Sequence, residues 1–579
     1  MGDREQKIIV LILVIGVPAL VFLPSLFIGF NPFWDLIYVY QNPFQRVISI
    51  PLVKAAFISF VEGNYHPLTL ISHSLDYTIW RENPFGHHLS SYLLHLVNVW
   101  LVFILIKYLT WRRGLKSGVP SLYIAGLTAV IFGIHPLRVE SVTWITERKD
   151  VLFAFFYLLT IYLYVRARTE RKIQLYWWAL FVYVGAVLSK AMAVSLPAVV
   201  MILDYSELSP PGKRTLRSSL FRAGPFASLA VAAAGLAMLG QYRGSLMAPL
   251  TPAIILRNLL QLPGIVLFYV GKTLWPFGMS PLYPIELIDR LGYIMFAWIV
   301  LITAASIFWF YRKQLPSLFT GLAIFILMLL PVGGLVRVGA QVLADRFSYL
   351  PTIPVIFALS TVAIIVAQYA GRLKWLVVGA LVICLLISGL LTISYISIWD
   401  NPIAVTLRAY NRYPGSSIIR LMMLRTYNSV AARLIESGQF DQAIVESGRA
   451  ISIQPKFPDS YQLHAHALEC SGRLEQAEEI RRKAAEVKRE LGERYFNQGI
   501  FYAQRQDYHR AEKLFRETLI YNAARVEAYY NLAVIYQSWG DLAAAVTELN
   551  QALAIYPDQP VLRQRLESIL ESQAGVIHK

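Results

Sequence analysis

The first 400 residues alternate apolar runs of roughly 18 to 23 residues, long enough for the hydrocarbon core of a bilayer, with short polar segments. The last 180 or so lose that pattern and show helical periodicity with regularly placed small residues. The first run, Ile8–Phe30, follows Arg4 and Lys7, exceeds a signal-peptide core in length and lacks a small-residue cleavage site. It therefore reads as an uncleaved helix with a cytoplasmic N-terminus. The next segment, 31–88, is rich in Pro, Trp, Tyr and His and is expected outside, as short helices on the membrane face. Spans are predicted at about Leu89–Leu109, from about Leu122, and at about Val151–Val165, with two shorter ones hinged at Ser189–Ala191. The basic runs Trp111–Lys116, Arg166–Lys172 and Gly212–Arg222 mark the cytoplasmic side.

Further candidate spans lie near 224–240, 254–275, 291–311, 318–332, 352–368 and 373–395. Tyr311–Lys313 and Gly371–Lys374 read as cytoplasmic and Arg337–Pro351 as external, which is consistent only if 224–240 or 254–275 is re-entrant or interfacial. The prediction is about 11 to 13 spans with an external tail. One segment resists a plain membrane reading. Between two spans, Ile134–Asp150 reads IHPLRVESVTWITERKD, and charge at that density beside hydrocarbon needs water, a partner or a substrate.

The tail repeats at a spacing of 34. Gly438, Gly472, Gln506 and Gly540 mark one position, Ala443, Ala477, Ala511 and Ala545 another, and Pro455 and Pro557 close two units. That is the tetratricopeptide pattern, a helical solenoid that binds peptides or proteins and carries no chemistry of its own. The chain thus divides into a membrane domain (1–400, with external loops 31–88 and 134–150), a linker (401–423) and about four repeats with a capping helix (424–579).

Composition adds little beyond class. The chain is 56% hydrophobic and 15% charged, with a mean hydropathy of +0.50. Of the net charge of +17, residues 1–400 hold 31 Lys and Arg against 16 Asp and Glu, and the tail 22 against 20. The excess sets membrane topology; no basic run with interleaved aromatics suggests nucleic acid. Cys384 and Cys470 form no disulfide framework or metal quartet.

Several side chains are candidates for chemistry. Asp35, framed by Phe33, Trp34 and Tyr38, is either a general base for an acceptor hydroxyl or a helix cap. Glu140, Trp144 and Glu147 share a helical face, and Arg138, Arg148 and Lys149 suit an anionic leaving group, or else form local ion pairs. Six of ten histidines, His66 and His135 among them, fall before residue 136, at spacings that match no tight metal motif. Lys190, Asp345 and Arg346 stand at outer helix ends, where they snorkel or meet a lipid phosphate.

Taken together, HPLRVESVTWITERKDVL (His135–Leu152), NYHPLT and SHSLD (Asn64–Asp76), NPFGHH (Asn83–His88), LLH (Leu93–His95), LSKAMA (Leu188–Ala193) and ADRFSYLP (Ala344–Pro351), ahead of the repeats, resemble the transmembrane and tetratricopeptide-repeat O-mannosyltransferases and their bacterial relatives. The resemblance implies an all-α, polytopic GT-C fold that moves a sugar from a polyprenyl-phosphate to a Ser or Thr hydroxyl outside the cytoplasm, with inversion and without a cofactor or metal. It implies catalytic roles for Asp35 and Glu140, donor-phosphate binding by Arg138, Arg148, Lys149, Lys190 and Arg346, and a cavity that includes His66, His135, Asp150 and Asp345. Its partners are the lipid-linked donor, membrane lipids and an acceptor protein held by the repeats; a bacterial inner membrane with periplasmic repeats is the implied location. The family's first external loop has an acidic pair seven residues before Asn-Pro; here Asp35 stands seven residues before Asn42-Pro43 as the second acid, and Trp34 replaces the first. Two alternatives are a catalytically silent scaffold for envelope assembly and transfer of a glycan from a polyprenyl diphosphate.

Overall fold

The structure, a computed structural model, describes residues 3–31, 33–35, 38–39, 42–44, 46–112, 121–208, 215–243, 251–311, 316–333 and 341–577. Parts of four predicted loops (113–116, 212–214, 312–313 and 337–340) lie outside the described residues. Among the described residues every regular element is a helix, with one isolated bridge between Val61 and Asn64 and no strand. It forms two compact units, Met1–Ile419 and Arg420–Lys579.

Among the described residues of the first unit, seven helices are long and apolar enough to cross a membrane, and four more are shorter but apolar. An eighth candidate, Ser121–Ile134 continued by Pro136–Thr143, bends by 59°. The bend follows from the His135-Pro136 dipeptide: a residue before proline disfavours the helical region, and His135 is extended at φ −71° and ψ 136°.

Side-chain links show which helix ends share a face. The Gly29 N–H donates to Asp400 at 2.9 Å, Asn31 Nδ2 to the Trp399 carbonyl at 3.2 Å, and Arg138 to the Ser348 carbonyl at 3.0 Å. At the opposite end, Arg168 and Arg222 both reach the buried Asp204, at 2.5 and 2.8 Å. Helix Leu216–Arg243 runs from that end to the first face, where Gln241 donates to the Gly63 carbonyl at 2.9 Å. Helix Pro252–Leu274 ends on the first face too, its Thr273 carbonyl 3.1 Å from the His135 ring. By length and composition it is apolar enough to cross a membrane.

Residues 401–423 are not an open linker. Pro402–Arg412 is a helix capped by Asn401 Oδ1, which accepts from the Ile403 and Ala404 N–H groups, and Ser417 begins the next helix. Val405, Thr406 and Ala409 bury one face of the first of these, and Arg408 donates to the Met279 carbonyl at 2.8 Å. Its apolar positions are too few to stand out against the long runs before it.

The second unit stacks helix pairs. Gly438, Gly472, Gln506 and Gly540 all have positive φ (74°, 82°, 60° and 79°). The following N–H bonds back across the helix end in each case, as from Gln439 to Leu434 at 2.8 Å and from Asp507 to Tyr502 at 3.0 Å. The 34-residue period of glycine is therefore a period of left-handed helix ends. Ala443, Ala477, Ala511 and Ala545 are buried.

Candidate functional site

The segment after the first helix turns back sharply at Asn31. Its side-chain oxygen accepts from the Phe33 and Trp34 N–H groups at 3.3 and 3.0 Å, which fixes the turn and aims Asp35 inward. Asp35 Oδ2 accepts from the Asn31 N–H at 3.0 Å; Oδ1 accepts from the Thr146 N–H at 3.1 Å and the Thr146 hydroxyl at 2.8 Å. The Trp34 carbonyl accepts from Trp144 Nε1 at 3.1 Å. Asp35 thereby locks the first external loop to Ile134–Asp150. Burial pushes its carboxyl up to about 6, although the bonds from Asn31 and Thr146 oppose the rise.

Trp34 occupies an aromatic cluster. It lies edge-on to Trp144 (centroids 5.3 Å apart) and Trp399 (6.3 Å), and Trp144 stacks on Trp399 at 5.6 Å. A carboxylate in place of Trp34 would face these rings.

One residue beyond Thr146, Glu147 organises the cations. Lys149 Nζ lies 3.0 Å from its Oε1, Arg346 Nε 3.4 Å from the same atom, and Lys190 Nζ 3.9 Å from Oε2. Lys190 also pairs with Asp150, which accepts from Ser141 at 2.9 Å. Arg346 pairs with Glu140, whose second oxygen accepts the Arg346 N–H at 2.9 Å. The carboxylates are sealed, yet the Lys149, Lys190 and Arg346 side chains keep 14, 13 and 12% exposure, so the cations present the accessible surface of the cluster. Aromatic faces support them: Tyr38 lies 5.0 Å from Lys149, Trp144 5.5 Å from Arg346 and Phe347 5.8 Å from Lys190. His66 stacks on Tyr38 at 5.6 Å. Its ring nitrogens have no hydrogen-bond partner among the described residues, and burial, then Lys149, pushes it down to about 3, so it is neutral.

The other expected residues sit elsewhere. Arg138 is completely buried and donates to the Ser348 carbonyl (3.0 Å), the Tyr349 carbonyl (2.5 Å) and Thr352 Oγ1, with its guanidinium 4.8 Å from the Phe132 ring centroid. Arg148, equally buried, pairs with Asp76 and donates to the His87 carbonyl at 2.6 Å. Both are spent on holding loops and helices together, and the phosphate contact expected of them does not fit their surroundings. His135 accepts from the Leu137 N–H at 3.2 Å and contacts Thr273, capping the turn at the helix bend. Asp345 accepts from Tyr283 at 2.8 Å and Tyr395 at 3.3 Å, and burial pushes it up to about 6. No group of three or more His, Cys, Asp or Glu among the described residues is arranged to hold a metal.

Two further residues of the site carry little signal in the sequence. Thr146 has none beyond its neighbour Glu147, which shares a helical face with Glu140. Trp399 lies more than 250 residues from Trp144 in sequence, and nothing local marks it.

Comparison with known proteins adds two findings. The Tetratricopeptide repeat family matches residues 526–559. The chain is 28% identical over 155 residues to Protein O-mannosyl-transferase Tmtc1 of Drosophila melanogaster, 32% over 146 residues to tmtc2 of Xenopus laevis and 27% over 157 residues to TMTC1 of Homo sapiens. These matches cover 24–26% of the chain and only 16–17% of the relatives' own length. The chain is a relative of these proteins over that segment.

Proposed function

We propose that the protein is a membrane glycosyltransferase that moves a sugar from a polyprenyl-phosphate donor to a Ser or Thr hydroxyl of an acceptor protein, on the face where the loops converge. What supports this most is the sequence Thr146-Glu147: one residue holds Asp35 and the next holds Lys149, Lys190 and Arg346. A proton acceptor and a cationic surface are therefore adjacent, as an in-line displacement requires.

In this reading the acceptor hydroxyl approaches Asp35 Oδ2, which in this structure accepts from the Asn31 N–H. Asp35 takes the proton as the hydroxyl oxygen bonds to the anomeric carbon. The bond from that carbon to the lipid phosphate oxygen breaks, and its electron pair leaves with the phosphate. Lys149, Lys190 and Arg346 stabilise the charge that develops there. Attack opposite the leaving group inverts the anomeric carbon. Glu140 acts through Arg346, which it fixes from behind, and not on the substrate. In this reading the side-chain cations supply the electrostatics and no cofactor enters. The repeats hold the acceptor, the N-terminus is cytoplasmic and the membrane is a bacterial inner membrane.

Vesicles reconstituted with the protein and a polyprenyl-phosphate-linked labelled sugar are expected to label a Ser- and Thr-containing acceptor peptide. Absence of label with every such donor, together with a stable partner on the repeats, would instead support a scaffold. One observation favours that second reading: Asp35 already accepts three hydrogen bonds that join two loops, a structural task that needs no catalysis.

A further inference from the structure

The repeat register places an inter-unit turn every 34 residues, at 454–457, 522–525 and 556–559, each with a hydrogen-bonded turn at its centre. The fourth place in that series, 488–491, reads Lys-Arg-Glu-Leu. All four are good helix formers without a Pro, Gly or Asn to stop the helix, so the second helix of one unit runs on into the first helix of the next. The result is a single helix of 31 residues, Leu474–Gln504, where two of about half that length and a turn would be regular.

A groove of about 1180 Å³ runs along the fused part of this helix, against helix Tyr508–Tyr521. Its lining is strongly basic although the tail as a whole is nearly balanced. Lys456, Arg489, Arg494 and Lys513 are exposed there and make no ion pair among the described residues. Arg510 pairs with Asp507 at 3.4 Å and lies over the Tyr502 ring at 5.4 Å, and Glu493, one of two acids in the groove, is engaged by Arg525 at 3.4 Å. Unpaired cations gathered in one concavity repel each other and are relieved by an anionic occupant. One turn from Arg494, the exposed amides of Asn497 and Gln498 can bond a peptide main chain in both directions, and Phe501, 47% exposed with the Arg505 guanidinium 3.6 Å from its ring centroid, adds an aromatic edge a turn further on. Backbone-bonding amides between cations and an aromatic ring fit an extended chain. A lipid headgroup would use the cations alone.

We infer that this groove binds an acidic, extended peptide segment of a partner protein. The inference gives chemistry to the partner assigned to the repeats above, and it stands on the repeat unit whether or not sugar is transferred.

The test is fluorescence anisotropy of a labelled ten-residue Asp- and Glu-rich peptide with the full-length protein in detergent, beside a Lys- and Arg-rich peptide of the same length. The acidic peptide is expected to bind, more weakly as salt rises, and the basic one not to bind. The double variant Arg494→Ala with Lys513→Ala should weaken binding by about tenfold or more. Lys483→Ala, exposed but outside the groove, should leave it unchanged. Equal binding of the two peptides, no binding of the acidic one, or an unaffected double variant would overturn the inference. So would displacement of the peptide by submicellar dihexanoyl phosphatidylglycerol, which would assign the groove to lipid headgroups. Since the readout is binding, its failure leaves the labelling experiment untouched.

Discussion

Asp35 Oδ1 accepts both the N–H and the hydroxyl of Thr146, at 3.1 and 2.8 Å, across 111 residues of chain. These bonds favour the ionised carboxylate, while burial opposes it and leaves the group near 6. Thr146→Val keeps the shape and removes the hydroxyl. Loss of one charge-assisted bond, of roughly 1.5–3 kcal/mol, raises the carboxyl by about one to two units. The acid limb of the transfer rate should move up by that amount in a pH–rate profile, and Thr146→Ser should restore it.

Lys149 contributes charge to the accessible face and is not the sole partner of any buried acid. Glu147 retains Arg346 and Lys190 without it. Lys149→Gln should therefore lower kcat/KM for the lipid donor by about 10²-fold, or roughly 2.7 kcal/mol, with little change in melting temperature.

Arg148 should behave in the opposite way. Its partner Asp76 is buried, and Arg148→Gln leaves a carboxylate without its cation, at a cost of about 3–5 kcal/mol. A large drop in thermal stability in detergent is expected, before any effect on donor affinity can be read.

Gln506 holds the left-handed position that is glycine in the other three units, at φ 60°. An L-residue there costs about 1–2 kcal/mol, part of which glycine returns through its looser unfolded chain. Gln506→Gly should stabilise the repeats by about 0.5–1 kcal/mol, seen as a higher melting temperature with unchanged transfer.

The membrane spans and the repeats were legible because each is a periodic signal: long apolar runs in one case, a 34-residue recurrence of glycine and alanine in the other. The division of labour among the cations was not. Arg138 and Lys149 look alike in IHPLRVESVTWITERKD, and only the carbonyls of Ser348 and Tyr349, some 210 residues away, show that Arg138 is structural. The fused helix left a trace, the absence of any turn-forming residue at 488–491, that a search for what recurs passes over.

The most direct measurement is the pH dependence of sugar transfer from polyprenyl phosphate by the reconstituted protein. A base whose carboxyl lies near 6 must be ionised to act, so the rate should fall tenfold per unit as pH drops below about 6 and level off above it. Asp35→Asn should abolish that limb together with nearly all activity. A wild-type profile flat through pH 6, or full transfer by Asp35→Asn, would contradict the assignment of Asp35 as the base on which this site is built.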